Sequence, residues 1–266
     1  MFQKQLRLDL GKMSRAKNLL FEVSSNLFAV SYFETDNLLN NWYLDISSKT
    51  EFQKKEVISD FLVKEGITLL DYSNVLVLWS NQNAVMIPSK LMDYSKPDAI
   101  MRLTFGNDIN PNEIDFNRIP LLNTSIIYSI PLWVKSLFVL KFPGSKIIHR
   151  TTSNIYYLET KSLFNKLCGL LNVEEGFITF IIFHNDQPIT FIQNNFETLE
   201  DIVYFVTYTL QNLKVTDFSG KIDVLNLVSK INSSELISRI KGVSLHPKII
   251  WEENSSFQHE IIKICV

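Results

Sequence analysis

Glycine is scarce in this sequence: 8 residues of 266, about half the usual share of roughly 7%. A protein built around several glycine-rich phosphate loops is not expected. Cysteine is scarcer still. Cys168 and Cys265 make neither a disulfide framework nor, alone, a cysteine zinc site. Long apolar runs are missing too, falling far short of the ~20 residues that span a bilayer, so no transmembrane segment is expected. The N-terminus carries Lys4, Arg7, Lys12, Arg15 and Lys17 against Asp9. The apolar run that starts at Leu19 is broken by Glu22, Ser24, Ser25 and Asn26, too soon for a signal peptide. That end reads as a solvated segment, and the expected location is the cytoplasm of a bacterial-type cell.

Charge of one sign is also lacking. Lys and Arg number 26 against 28 Asp and Glu, a formal net charge of −2. Residues 1–150 hold 17 basic and 15 acidic side chains, and residues 151–266 hold 9 and 13. Neither half has the basicity of a phosphate-backbone binder, so nucleic acid is not an expected partner. His149, His184, His246 and His259 show no metal-ligand spacing, and no metal is expected. Walker, dinucleotide and nucleophile-elbow motifs are absent.

What is present is a globular composition: 46% apolar and 20% charged residues, enough for one large domain or two lobes. Leu19–Glu34 reads as a hairpin turning at Ser24-Ser25-Asn26, and Trp42–Ile46 as a third strand. Phe52, Val57, Ile58, Phe61 and Leu62 share one face of a helix over Glu51–Lys64. Strands follow at Asn74–Trp79, Ala84–Ile87 and Ser125–Tyr128, while Asp93–Asn123 carries no clear period. Pro131 opens a helix through Leu140, and Lys146–His149 follows as a short apolar stretch. Leu163, Phe164, Leu167 and Leu171 suggest a helix over Asn154–Leu171. Cys168 would then be a packing thiol on that helix, and Glu174-Glu175 a solvated pair in a turn. Phe177–Phe183 reads as a buried strand, turning at His184–Gln187 into Ile189–Ile192. Thr198 and Asp201 approximate a capping box for a helix carrying Leu199, Ile202, Val206 and Leu210. The remainder reads as a strand at Val215–Phe218, helices at Asp223–Lys230 and Ser234–Ile240, and a final strand at Ile261–Val266. Strands alternating with helices make an α/β pattern. Leu19–Glu34 and Gly176–Gln193 look like counterparts, which points to two similar lobes.

Four segments carry a family resemblance: Asn18–Ser31, Phe142–His149, Asn194–Phe205 and Asp217–Lys221. In that order they resemble an uncharacterised Bacteroidetes domain-of-unknown-function family, with similarity over roughly Asn18 to Val243. The resemblance implies an α/β, two-lobed actin-like ATPase (ribonuclease-H-like) fold, with mixed sheets flanked by helices around a central cleft. The expected lobes are residues 1–150 and 151–266. Active members of the superfamily bind ATP between two hairpins, the first bearing Asp-x-Gly followed by Ser or Thr. The matching stretch here is Glu22-Val23-Ser24-Ser25, where Ser24 replaces the glycine and its Cβ would crowd a phosphate. The second hairpin matches Ile182–Gln187, without glycine, and the adenosine-binding glycine pair reduces to Gly220.

Glu22, Ser24, Ser25, His184 and Gly220 are therefore the candidate residues of a vestigial cleft. No catalytic residue, metal or cofactor is assigned. The expected function is a non-catalytic, cytoplasmic binding or scaffold protein with degenerate nucleotide motifs and a protein partner. The alternative is a divergent Mg-nucleotide-dependent ATPase or small-molecule kinase that keeps Glu22 and Ser25. On the first reading Glu22 is a surface turn residue, and Glu22→Gln should change stability by no more than about 0.5 kcal/mol.

Overall fold

A computed structural model describes residues 16–35, 37–92, 96–106, 108–213, 215 and 219–265. The basic N-terminal stretch and nearly all of the strand expected at Val215–Phe218 lie outside the described residues. Strands β1 (Lys17–Val23), β2 (Leu27–Glu34) and β3 (Asn37–Asp45) form an antiparallel meander. Helix α1 (Glu51–Lys64) follows, with Thr50 and Gln53 closing a capping box at its start. Then β4 (Asn74–Trp79) runs parallel to β1, and β8 (Lys146–His149) runs parallel to β4, giving the order β3-β2-β1-β4-β8. Between them come β5 (Ala84–Pro88), α2 (Pro97–Phe105), β6 (Ile114–Ile119), β7 (Thr124–Ser129) and α3 (Leu132–Lys141). The inserted strands make a separate sheet, β5-β7-β6. Asp93–Asn123, which showed no clear period, supplies α2 and β6.

The second half repeats this plan. After α4 (Arg150–Ser162) come β9 (Leu167–Glu174), β10 (Phe177–His184), β11 (Gln187–Asn195), α5 (Leu199–Asn212), β12 (Gly220–Asn226), α6 (Ser233–Val243), β13 (Ile249–Glu253) and α7 (Phe257–Cys265). Its sheet order is β11-β10-β9-β12-β13, strand for strand that of the first sheet. The capping box of α5 forms as expected, Thr198 with Asp201.

Three expectations are corrected. The helix over Asn154–Leu171 is shorter and starts earlier, and its C-terminal part is strand β9. All eight residues of β9 are buried, so exposure marks no pleat, and Leu167, Leu170 and Leu171, spread over both faces, mimic a helical period. Asp223–Lys230 is not a helix: β12 runs between β9 and β13, parallel to both. The last segment is helix α7 rather than a strand, because Phe257, Ile261, Ile262 and Cys265 share a buried face. The topological counterpart of the β1–β2 hairpin is accordingly β9–β10, not the hairpin that turns at His184–Gln187.

Helices α4 and α7 pack against each other, α4 also against β9 and β10, and α7 against β1. Helix α4 also touches β4 and β8, so it lies between the two sheets. One core therefore joins Leu20 and Leu76 of the first sheet to Cys168, Leu170, Ile181 and Phe183 of the second, with Phe257 and Ile261 of α7. A second core fills the other face of the second sheet, from Leu171, Phe180 and Ile182 to Ile202, Val206, Leu236 and Trp251. Cys168, expected as a packing thiol, is buried, as is Cys265, and burial pushes the Cys168 thiol up to about 12.

Two substitutions test this packing by denaturant unfolding. Phe180 is fully buried and stacks on Trp251, so Phe180→Ala is expected to cost about 3–5 kcal/mol. Gly220 opens β12 where an added Cβ would lie 2.1 Å from the Leu167 carbonyl oxygen. Gly220→Ala is expected to cost at least ~3 kcal/mol, the upper end for overpacking. A loss under 1 kcal/mol in either would show that these strands do not pack as described.

Candidate functional site

A cleft of about 430 Å³ opens between the tips of the β1–β2 and β9–β10 hairpins. Its walls include Glu22 to Leu27 from the first hairpin, Asp45 and Ser47 after β3, Glu174, Glu175 and Phe177 from the second hairpin, and Leu227 to Lys230 after β12. Arg150, the first residue of α4, lies at its base. Side chains alternate along a strand, so Glu174 shares a face of β9 with Asn172, Leu170 and Cys168, toward α4. Glu22 likewise shares a face of β1 with Leu20, opposite Phe21, which meets Phe138 edge to face and Phe142 at a tilt.

The two carboxylates meet one guanidinium. Arg150 Nη2 donates to Glu22 Oε1 at 2.9 Å, and Arg150 Nε lies 3.7 Å from Glu174 Oε2. All three side chains are at least nine-tenths buried. Gln258 Nε2 of α7 donates to the other Glu22 oxygen at 2.5 Å. Glu174 accepts from the Ser80 hydroxyl just past β4 and from Asn172 Nδ2 at 2.7 Å. Nearer solvent, Asn26 Nδ2 donates to Glu175 Oε2 at 3.2 Å. Burial opposes the Arg150 charge, but Glu22 and then Glu174 outweigh it, holding the group above its ordinary value. Complete burial pushes the Glu174 carboxyl up, and Arg150, Ser80 and Asn172 offset only part of that.

Of the expected residues, the structure brings Glu22, Ser24 and Ser25 to the cleft. Ser24 Oγ accepts from the amides of Asn26 and Leu27, which shapes the hairpin turn. His184 and Gly220 pair in register with Leu167, at the end of the second sheet away from the cleft. Gly220 is there because β12 approaches β9 closely, not as a turn or cap. The turn after His184 holds Asn185 and Asp186 at positive φ, and it too is remote from the cleft. The hairpin facing Glu22 instead carries Glu174-Glu175-Gly176, with Gly176 at φ 84° completing a two-residue turn. A carboxylate and a glycine are thus present where the sequence reading expected neither. Glu174 is no solvated turn residue.

Sequence reading missed Arg150, Glu174 and Gln258. One signal was available. A cation at a helix N-terminus faces the positive end of the helix dipole, so an arginine directly after Lys146–His149 calls for a nearby carboxylate. His149, the N-cap of α4, accepts the Thr151 amide on Nδ1, and burial lowers its pKa to about 3. It is a neutral structural group. Among the described residues no group of three or more His, Cys, Asp or Glu is placed to hold a metal ion.

These contacts replace the small effect expected of Glu22→Gln. That substitution removes a charge bonded to a buried cation, and denaturation is expected to show a loss of about 1.5–3 kcal/mol. Arg150→Met strands two buried carboxylates, with an expected loss of about 3–5 kcal/mol. Equal, sub-0.5 kcal/mol losses would mean that the charges are solvated. Glu174 gives a pH signature. Its folded-state pKa lies above its unfolded one, so the contribution of this group is largest at low pH and is lost as pH rises through the raised value. Relative to Glu174→Gln, the unaltered chain is expected to gain stability as pH falls from 7 toward 4.5. A pH-independent difference between the two would contradict the raised value.

The folded chain resembles solved structures along nearly its whole length. A Bacteroides thetaiotaomicron protein with actin-like ATPase fold and unknown function matches at 16% identity and a TM-score of 0.76, over 94% of this chain and 96% of that one. A chain of the PilM–PilN type IV pilus biogenesis complex matches at 11% identity and a TM-score of 0.58, over 93% and 90%. Ethanolamine utilization protein EutJ from Carboxydothermus hydrogenoformans matches at 8% and 0.52, over 94% and 92%. At such identities the likeness is one of fold, and the fold is actin-like. No curated protein matches. The model of the family described as protein of unknown function (DUF3822) matches residues 11–241, most of the sequence, and the chain belongs to that family.

Proposed function

We propose that this chain is a non-catalytic actin-like protein that serves as a binding or scaffold module for a protein partner. The observation that carries the reading is the Arg150 contact. The carboxylates of both hairpins are engaged by an internal guanidinium, and so are not free to organise a hydrated cation. The cleft lining holds Glu22, Asp45, Glu174 and Glu175 against Arg150 and Lys230, an excess of negative charge that disfavours a bare polyphosphate. The PilM structure is that of a complex with a partner protein, which supports an actin-like fold working through assembly. Among the described residues no helix is long and apolar enough to cross a membrane.

One observation favours the alternative of a divergent Mg-nucleotide-dependent ATPase or small-molecule kinase: Glu174-Glu175-Gly176 restores a carboxylate-x-glycine turn opposite Glu22. Thermal unfolding separates the two readings. A ligand that binds only the folded state adds about 2.7 kcal/mol at one hundred times its Kd. With millimolar Mg-ATP, Mg-ADP or Mg-GTP the midpoint is expected not to move. A saturable upward shift would overturn the non-catalytic reading. A tagged chain recovered gently from its native host is expected to carry one partner reproducibly, and recovery of the chain alone would remove the scaffold reading.

A further inference from the structure

The two sheets are joined by a common core around α4 and α7, which reaches the cleft wall at Leu227. Across the hairpin tips, the polar contacts described are those of Asn26 with Glu175 and of Ser80 and Arg150 with Glu174. Arg150 follows β8 with no intervening linker, so its backbone is continuous with the first sheet. Ser80 follows β4 and is likewise fixed to the first sheet. Glu174 belongs to the second. We propose that Arg150 is a latch between the lobes, which sets the width of the cleft by holding Glu22 of β1 and Glu174 of β9 on one guanidinium.

Separating the tips means pulling a buried cation from a buried anion where water is scarce, a cost far larger than breaking the exposed Asn26–Glu175 contact. The latch is also incomplete. Among the described residues Arg150 Nε and Nη1 are buried without a hydrogen-bond partner, and the closed arrangement rests there on charge with one hydrogen bond from Arg150 to a carboxylate. Unsatisfied donors weigh against that arrangement. A latch of this kind can be released without unfolding the core beneath it. The inference goes beyond the proposed function, because it holds whether or not a nucleotide enters the cleft.

Ser47 and Ser229 are exposed and line opposite walls of the cleft, while both native cysteines are buried. Spin labels on Ser47→Cys and Ser229→Cys report the aperture by pulsed electron resonance, in nucleotide-free buffer. The otherwise unaltered chain is expected to give one narrow distance distribution. Adding Arg150→Met should lengthen and broaden it, with amide exchange at residues 23–28 and 174–178 accelerated more than in β4 and β12, where exchange follows the lower global stability. Arg150→Lys, which keeps the charge without the reach of the fork, should fall between the two. A folded Arg150→Met chain with an unchanged distance would overturn the latch. Should that variant fail to fold, Glu174→Gln decides, since it keeps the Arg150–Glu22 pair and removes the charge that Arg150 faces across the lobes. Widening there supports the latch, and an unchanged distance overturns it. A nucleotide-induced thermal shift alone would count against the proposed function and leave the latch standing.

Discussion

A buried guanidinium must find its counter-charges inside the protein, and in this chain that requirement ties four separate segments to one point. Arg150 meets Glu22 from β1 and Glu174 from β9, and Gln258 from α7 holds the far oxygen of Glu22. None of these residues is near the others in sequence. Placing a cation at the first position of α4 is unfavourable for the helix itself, and burying it is worse. Both costs are met only if the two hairpins arrive at the helix start together. The relative placement of the two sheets at the cleft follows from that condition.

Such a contact specifies more than it stabilises. A buried ion pair recovers little beyond its desolvation cost, and the Glu174 carboxyl, held above its ordinary value by burial, shows that cost directly. The bulk of the stability lies in the two apolar cores, one of which is shared between the sheets through α4 and α7. The packing of α4 and α7 between the sheets ties them together at their base, while polar contacts link the tips above. Rigidity at one end of the strands and polar contacts at the other is the arrangement from which an adjustable cleft follows.

Much of the architecture was legible because the first half obeys simple periodicities. The β1–β2 hairpin, helix α1 with Ile58 and Leu62 on its buried face, and the Thr198–Asp201 cap of α5 were each readable from spacing alone, although Phe52, expected on the same face of α1, is exposed. β9, β12 and α7 were not. β9 is buried on both faces and its polar residues, Asn172 and Glu174, come only at its end, so the apolar run before them shows no alternation, and Leu167 and Leu171 fall four apart as they would on a helix. For α7, the apolar cluster at Ile261–Cys265 hides the helical spacing that only Phe257 and His259, outside the cluster, would expose. His259 meets Phe33 of β2 edge to face, a contact no local pattern contains.

The misreading of β9 decided the reading of the cleft. With residues 167–171 placed on a helix, the next visible hairpin was the one turning after His184, and that turn contains no glycine. With β9 restored, the facing hairpin moves to Glu174–Phe177, and the site changes from one that has lost its second carboxylate to one whose carboxylate is engaged. These are different physical situations. A lost group leaves a cleft with nothing to bind a cation, whereas an engaged group leaves two anions neutralised by a residue of the chain itself. The non-catalytic reading therefore rests on the presence of Arg150 rather than on missing motif residues, and it stands or falls with what that one guanidinium holds.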